Sequence, residues 1–216
     1  MNKVFIFDFD GTFYSGEHKF DNVEKVVREN RRRFLKNVDD ETYGMICKEN
    51  PRWLQTITGN DIIRLIYKFR KKYPNLDINI EEFMAWQETM PYDIIIDYNQ
   101  IVDIDFIKKL SKEYSVYVVS NSSLPHIHHY MKKLGINPSW FKKVYSNEFL
   151  DSDPSKQHYY KEIMATEKAT PHNIYIFGDS VDSDLAPGLK LGMNGFYIDN
   201  ACNIKPLVSK VLDNHI

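Results

Sequence analysis

The sequence predicts an α/β fold in which helices cover both faces of a parallel sheet. Three observations lead to this prediction. Short continuous apolar runs recur along the chain, amphipathic helical patterns separate the later runs, and residues 15–100 interrupt the alternation. Such runs are typical of strands buried on both faces, and their alternation with helices indicates βαβ units. We therefore expect a Rossmann-like core formed by residues 1–14 and 101–216, with residues 15–100 inserted as a small α-helical domain.

Five apolar runs are the predicted strands. In chain order they are residues 3–8, Ser115–Ser120, Lys143–Ser146, Asn173–Gly178 and Gly195–Asp199. The first of them ends in an acidic residue.

Apolar residues at helical spacing predict three helices between the later strands. The three sets are Ile104, Ile107 and Leu110; Ile127, Met131 and Leu134; and Tyr160, Ile163 and Met164. Because each set occupies one helix face, each helix is expected to pack against the sheet.

The inserted segment contains helical stripes and no convincing buried strand. The stripes are Val23, Val26, Val27 and Phe34; Ile62, Ile66 and Phe69; and Phe83 with Trp86. Pro74 is expected to end the second of these helices. The Arg31-Arg32-Arg33 run, matched by Asp39-Asp40-Glu41, is interpreted as a solvated helix face.

Composition excludes several function classes. The chain has 216 residues with 28 basic and 30 acidic side chains, so no basic excess exists to attract nucleic acid or an anionic membrane. No run approaches the roughly 18 apolar residues of a membrane span. The apolar run near the start is too short for a signal peptide, so we expect a cytoplasmic protein. Cys47 and Cys202 are expected to be reduced packing residues.

The strongest local signal is Asp8-Phe9-Asp10-Gly11-Thr12, directly after the first predicted strand. Two carboxylates this close repel each other beside a buried element, which favours a functional role over an acidic turn. Ligand sites of open α/β sheets lie just outside the carboxyl ends of the strands.

A second acidic cluster, Gly178-Asp179-Ser180-Val181-Asp182-Ser183-Asp184, follows another predicted strand. It can also be interpreted as the N-cap region of a helix. In a parallel sheet the two clusters meet at one edge, and converging carboxylates require a cation. Oxygen ligands with few histidines favour Mg²⁺.

Two further features occupy equivalent places along the chain. Ser120 ends a predicted strand and is followed by Asn121, where a hydroxyl and backbone amides can bind phosphate oxygens. Lys156 lies near the predicted start of the helix that carries Ile163, where a lysine can neutralise phosphate charge.

These motifs, in this order, resemble the haloacid dehalogenase superfamily, whose members are mostly Mg²⁺-dependent phosphohydrolases. Asp8 to Thr12 matches the family's DxDGT motif, Ser120 matches its second motif, and Asp179 with Asp184 matches its acidic fourth motif. The resemblance covers nearly the whole chain. The inserted segment resembles the helical C1 cap of the family.

The third motif departs from the family's pattern. Many capped members carry Lys-Pro-Asp-Pro, whereas this chain has Asp151-Ser152-Asp153-Pro154. Lys156 is assigned the role of the third-motif lysine because some relatives place it at the helix start. Lys143 and Lys142 are the alternatives.

The resemblance implies a role for each matching residue. Asp8 is the expected nucleophile, forming an aspartyl-phosphate, and Asp10 is the expected general acid and base. Mg²⁺ is expected on the Asp8 and Asp179 side chains and the Asp10 backbone carbonyl, with Asp184 orienting its ligands. Ser120, Lys156, Asn121 and the backbone amides around Phe9 and Gly11 are expected to bind the phosphoryl group; these three residues and two amide positions complete the predicted site.

The expected substrate is a small-molecule phosphate monoester, such as a nucleotide or sugar phosphate. A phosphomutase and a catalytically weak phosphate-binding module are the alternatives, and a monomer or weak homodimer is expected. Tyr14, Arg52 and Trp53 are candidates for substrate contact, although packing or a solvated charge is the simpler interpretation of each. The His126-Ile127-His128-His129 cluster lacks the i, i+4 spacing of a helical zinc site and is interpreted as structural.

Overall fold

A computed structural model of the chain describes residues 3–14, 31–32, 35, 37–49, 68–69, 71–74, 99–122, 124–146 and 155–213. The chain divides into two compact units. The first consists of Met1–Gly16, Ile96–Glu148 and Ser152–Ile216, and the second of Glu17–Ile95 and Phe149–Asp151. Elements are numbered below over the described residues.

The first unit is built on a five-stranded sheet. Its strands are β1 (Val4–Phe7), β2 (Ser115–Ser120), β3 (Lys143–Ser146), β4 (Ile174–Gly178) and β5 (Asn194–Tyr197). All neighbouring strands pair in parallel, in the order β3-β2-β1-β4-β5. The predicted α/β fold with a parallel sheet is therefore confirmed, and each strand lies within a residue or two of the run that predicted it.

Helices connect these strands and follow the last one. The described helices are α1 (Asp40–Glu49), α2 (Ile104–Glu113), α3 (Leu124–Leu134), α4 (Gln157–Glu167), α5 (Ala186–Leu189) and α6 (Ile204–Asp213). A π-helical turn, Val181–Leu185, precedes α5. The spacing of apolar residues predicted α2, α3 and α4, but not α6. None of the described helices is long and apolar enough to cross a membrane.

Strand β1 lies at the centre of the sheet, and both of its faces are buried. Val4 and Ile6 belong to a buried apolar cluster with Ile163 of α4. Phe7 points to the opposite face and stacks on Phe177 of β4, with ring centroids 4.9 Å apart. This burial on two faces explains why the strand is a continuous apolar run rather than an alternating one.

Helix α1 belongs to the second unit. Thr42 N donates to Asp39 Oδ1 at 2.8 Å near the start of this helix. Arg32 pairs with the exposed Asp40 at 2.6 Å, as a solvated face requires. Arg31, however, is completely buried, so the interpretation of the whole arginine run as solvated is wrong for that residue.

Most of the predicted insertion lies outside the described residues. This holds for the stripes at residues 23–34 and 83–86 and for most of the stripe at 62–69; only Phe69, which is buried, is described. Residues 71–72 are helical, whereas Tyr73 and Pro74 are not. The boundaries at residues 14 and 101 and the helical nature of the cap stay predictions.

Candidate active site

The site lies where three central strands of the first unit end. Asp8 directly follows β1, Ser120 ends β2, and Asp179 directly follows β4. Phe7 is in register with Val118 of β2 and with Phe177 of β4. Parallel pairing in this register brings the residues after all three strands to one edge of the sheet.

Three carboxylates converge at this edge. Asp8, Asp179 and Asp184 each offer an oxygen, and the three oxygens lie within 4.8 Å of one another. Asp8 and Asp184 are buried, whereas Asp179 is exposed to solvent. A cluster of carboxylate oxygens with one side open to water suits a hard divalent cation that keeps some of its water ligands.

Two glycines allow these carboxylates to approach the backbone. A Cβ on Gly11 would lie 2.1 Å from Asp179 Oδ2, and Gly11 has a positive φ of 76°. A Cβ on Gly178 would lie 2.5 Å from Asp184 Oδ2. Both positions therefore require glycine, because any side chain would displace a carboxylate of the cluster.

Lys156 provides the positive charge of the cluster. It is 1% exposed, and its Nζ donates to Asp8 Oδ1 at 2.5 Å and to Asp184 Oδ1 at 2.7 Å. Lys143 instead forms an exposed ion pair with Glu162 at 2.9 Å. The structure thus brings Lys156, and not Lys143, to the predicted nucleophile.

Electrostatic strain is concentrated in this cluster. Burial raises the pKa of Asp8 well above its usual value, against the opposing charge of Lys156. The pKa of Asp179 is raised to about 7 by partial loss of hydration and by the neighbouring Asp184 carboxylate. Burial acts to lower the pKa of Lys156, but the charges of Asp8 and Asp184 outweigh it and raise that pKa. Such opposed shifts are expected where like charges are held together for a ligand.

The π-helical turn holds Asp184 in place. Ser180 N donates to Asp184 Oδ2, and Ser183 Oγ donates to Asp184 Oδ1, both at 2.9 Å. Tyr160 of α4 donates from its hydroxyl to the Asp184 backbone carbonyl at 2.9 Å. Ser180 also caps this turn, since its Oγ accepts from Ser183 N at 3.3 Å. The acidic cluster after β4 is therefore both a helix N-cap, as its sequence allowed, and an ordered turn that aims the Asp184 carboxylate.

Asp10 has different surroundings from the other acids of the site. Its carboxylate accepts hydrogen bonds from the hydroxyls of Tyr14 and Ser122 and contacts His126 Nε2 at 2.9 Å. Burial acts to raise the pKa of Asp10, but His126 and the hydroxyl donors lower it to about 2. The side chain of Asp10 is thus engaged away from the three-carboxylate cluster.

The predicted phosphate-binding residues also lie at this edge. Ser120 is buried, and its Oγ accepts from Ser122 N at 3.1 Å. Asn121 Oδ1 is buried and has no hydrogen-bond partner among the described residues. The backbone carbonyl of Phe9 accepts from Thr12 N and Phe13 N, which forms the turn that carries Gly11.

Sequence reasoning missed three residues that contact Asp10. His126 and Ser122 were not assigned to the site, and Tyr14 was a candidate for contact with substrate. Tyr14 is instead 5% exposed and stacks on Tyr130 of α3. A polar residue on the buried face of α3 was the available signal for His126. Arg52 and Trp53 lie outside the described residues.

Comparisons with known proteins agree with this geometry. Residues 2–192 match the sequence model of a family described as haloacid dehalogenase-like hydrolase. None of the curated protein sequences matches the chain.

Solved structures with low sequence identity share the fold. A predicted HAD-like family hydrolase from Porphyromonas gingivalis aligns with a TM-score of 0.60 and 15% identity, covering 100% of both chains. A HAD family enzyme from Bacteroides thetaiotaomicron, in complex with magnesium and inorganic phosphate, aligns with a TM-score of 0.56 and 14% identity, covering 96% of this chain and 99% of that one. A 2-haloacid dehalogenase from Pseudomonas syringae aligns with a TM-score of 0.55 and 14% identity, covering 98% of this chain and 100% of that one.

Proposed function

Because the chain belongs to the haloacid dehalogenase-like hydrolase family, we propose that it is a Mg²⁺-dependent phosphohydrolase. Its substrate is a small-molecule phosphate monoester, and the reaction passes through a phosphoryl group carried on Asp8. Asp8, Asp10, Ser120 and Lys156 are the proposed catalytic residues.

The observation that carries the proposal is the difference between the surroundings of Asp8 and those of Asp10. Asp8 faces a buried ammonium and two further carboxylates, whereas Asp10 is held by hydroxyls and an imidazole. Two carboxylates in such different surroundings can take different roles in one reaction. One is suited to act beside a cation as a nucleophile, and the other to transfer protons.

Mg²⁺ fits the residues present. Three ionised carboxylates, one ammonium and one divalent cation sum to zero charge, which removes the electrostatic strain at Asp8 and Asp179. Asp8, Asp179 and Asp184 are the proposed ligands, together with the Asp10 backbone carbonyl. When bound, the ion supplies charge stabilisation for the transferring phosphoryl oxygens. The magnesium and phosphate in the Bacteroides thetaiotaomicron structure support this assignment.

In the first half-reaction, one Asp8 oxygen attacks phosphorus and the bond from phosphorus to the ester oxygen breaks. Asp10 gives its proton to the departing alkoxide, so that an alcohol leaves. Lys156 and the Ser120 hydroxyl face the equatorial oxygens, and backbone amides around Phe9 and Gly11 stabilise their charge.

In the second half-reaction, Asp10 acts as a base. It takes a proton from a water molecule whose oxygen attacks the phosphorus on Asp8. The bond from phosphorus to the Asp8 oxygen breaks, which releases inorganic phosphate and restores the Asp8 carboxylate. Asp10 now carries the proton taken from water, so it can act as an acid on the next ester.

The presence of Asp10 favours phosphoryl transfer over dehalogenation. An alkoxide needs a proton when it leaves, whereas a halide does not. In the dehalogenase branch of the haloacid dehalogenase superfamily, the position that corresponds to Asp10 lacks an acid. The likeness to a 2-haloacid dehalogenase shows a shared fold and does not bear on the reaction.

The test is phosphate release from a panel of monoesters, with Mg²⁺ and with a chelator. The panel holds an aryl phosphate, nucleoside 5′-monophosphates and sugar phosphates. Asp8→Asn keeps the size of the side chain but removes the nucleophilic carboxylate, and we expect it to lower kcat at least about 10³-fold.

Asp182→Asn is the matched control, because it makes the same change at an exposed carboxylate in the π-helical turn after β4. It should leave the rate near that of the wild type. Equal rates in wild type and Asp8→Asn would remove Asp8 as the nucleophile. If no ester releases phosphate but a sugar phosphate is isomerised after addition of a bisphosphate, the chain is a phosphomutase.

A further inference from the structure

We propose that His126 is a positioning residue for the general acid: it fixes the rotation of the Asp10 carboxylate so that one particular oxygen, Oδ2, exchanges the proton with substrate and water. The inference rests on the proposed function, since it assigns a role to a side chain that acts through Asp10.

His126 is placed in α3 so that its ring is buried against Asp10. Its side chain is 6% exposed, and Nε2 lies 2.9 Å from Asp10 Oδ1. The ring packs on Tyr130 of the next helical turn, with centroids 4.6 Å apart. Tyr130 in turn stacks on Tyr14, which contacts the same Asp10 oxygen. The imidazole is therefore held by packing as well as by its hydrogen bond.

The tautomer of His126 follows from this contact. Oδ1 of Asp10 accepts hydrogen bonds whether the carboxyl group is ionised or carries a proton on Oδ2, so the nitrogen that faces Oδ1 must carry a hydrogen. Nε2 of His126 therefore donates to Asp10 Oδ1. Tyr14, whose hydroxyl contacts the same oxygen, is a second donor to it.

The count of donors distinguishes the two oxygens of Asp10. Each carboxylate oxygen has about two lone-pair sites. Counting the donors among the described residues, Oδ1 accepts from His126 and Tyr14, whereas Oδ2 accepts from Ser122 alone. Oδ2 therefore retains a site for a proton, and the Ser122 hydroxyl can turn from donor to acceptor when that proton arrives.

The consequence is a carboxylate that cannot rotate freely. Two donors on Oδ1 and one on Oδ2 fix the plane of the group, and a misplacement of about 1 Å in a reacting group can cost roughly 10²-fold in rate. Without His126, the Asp10 carboxylate loses the hydrogen bond that holds its Oδ1 toward α3. Protonation of the leaving oxygen should then slow, while attack by Asp8 has no direct dependence on His126.

The test compares two esters with different leaving groups. The constant kcat/KM covers the steps up to departure of the alcohol, so it isolates the half-reaction in which Asp10 acts as an acid. The nitrophenolate that leaves a nitrophenyl phosphate needs no proton, whereas the alkoxide that leaves an alkyl phosphate requires one. We expect His126→Leu to lower kcat/KM for the alkyl ester about 10- to 100-fold and for the nitrophenyl ester less than about threefold.

Two further variants separate positioning from general damage. His126→Gln places an amide N–H near the position of Nε2, and it should restore the alkyl-ester kcat/KM to within about threefold of wild type. His128→Leu makes the same change at an exposed site of the same helix, and the ratio of the two kcat/KM values should not change. Equal losses on both esters in His126→Leu, or no recovery in His126→Gln, would overturn the inference.

A spectroscopic measurement keeps the inference testable if the enzyme assay fails. In ¹⁵N-histidine-labelled protein, Asp10→Ala should shift the ring nitrogen signals of His126 and leave those of His128 in place. If the wild type releases no phosphate but this shift is seen, the proposed function fails while the contact between His126 and Asp10 stands. An unchanged His126 signal would refute the positioning role whatever the activity.

Discussion

Replacing Lys156 by methionine removes the buried ammonium that faces Asp8 and Asp184 and keeps a side chain of similar length. The two donor distances are 2.5 and 2.7 Å, and all three side chains are less than a tenth exposed. Removal of one partner from a buried ion pair costs about 3–5 kcal/mol, because the remaining charges lose their compensation. We expect the metal-free Lys156→Met protein to lose about this much free energy of unfolding.

Mg²⁺ should recover part of this loss. At a concentration of about 100 times its Kd, a ligand that binds only the folded state adds roughly 2.7 kcal/mol of stability. Because the Lys156→Met cluster carries one more uncompensated negative charge, its gain from Mg²⁺ should exceed that of the wild type. Phosphate release should still fall about 10²- to 10³-fold, since a charge that stabilises the transferring group is lost.

The assay is urea unfolding followed by circular dichroism, with a chelator and with Mg²⁺. Lys143→Met is the matched control, because its ion pair with Glu162 is about half exposed at both ends. An exposed pair contributes at most about 1 kcal/mol, so this variant should unfold almost as the wild type does. Equal stability of Lys156→Met and wild type without metal would refute the view that Lys156 compensates the cluster.

Two other predictions concern the carboxylate cluster. Gly11→Ala should weaken Mg²⁺ binding at least about tenfold, measured by titration calorimetry, because the new Cβ would lie 2.1 Å from Asp179 Oδ2. Gly135→Ala is the control, because Gly135 has a similar φ of 74° but open space around an added Cβ. This variant should lose roughly 1–2 kcal/mol of stability but no metal affinity. Equal Mg²⁺ affinities in the two variants would contradict the clash with Asp179. The metal-free protein should lose stability as the pH rises from about 4 to 7, because the raised pKa values of Asp8 and Asp179 make the folded chain bind more protons than the unfolded chain. Mg²⁺ needs ionised ligands, so it should reverse the fall of stability with rising pH. Melting temperatures that fall equally with pH in Mg²⁺ and in chelator would contradict the assignment of Asp8 and Asp179 as metal ligands.

The strands and the first acidic motif could be predicted from sequence because their causes are local. Burial on both faces of β1 demands a continuous apolar run, and Asp8 and Asp10 stand directly after it. The same reasoning located Asp179 and Asp184 after β4. Helix α6 was missed, although its Ile204, Val208 and Val211 are buried at helical spacing.

The choice of Lys156 over Lys143 was not decided by sequence. Both lysines lie near the ends of predicted elements, and their surroundings depend on which side chains the sheet brings near them. In the structure Lys156 faces two buried carboxylates, whereas Lys143 faces solvent and Glu162. The difference is one of burial and of partners distant in sequence, which no local pattern contains.

The sequence by itself determined the class of fold and the acids at the ends of β1 and β4, because strand burial and motif spacing are properties of neighbouring residues. The tertiary structure alone decided which groups hold those acids. Asp10 meets Ser122 and His126 across more than a hundred residues of chain, because β1 and β2 are adjacent and α3 follows β2. Contacts of that kind arise from the packing of one element on another, so they appear only once the chain is folded.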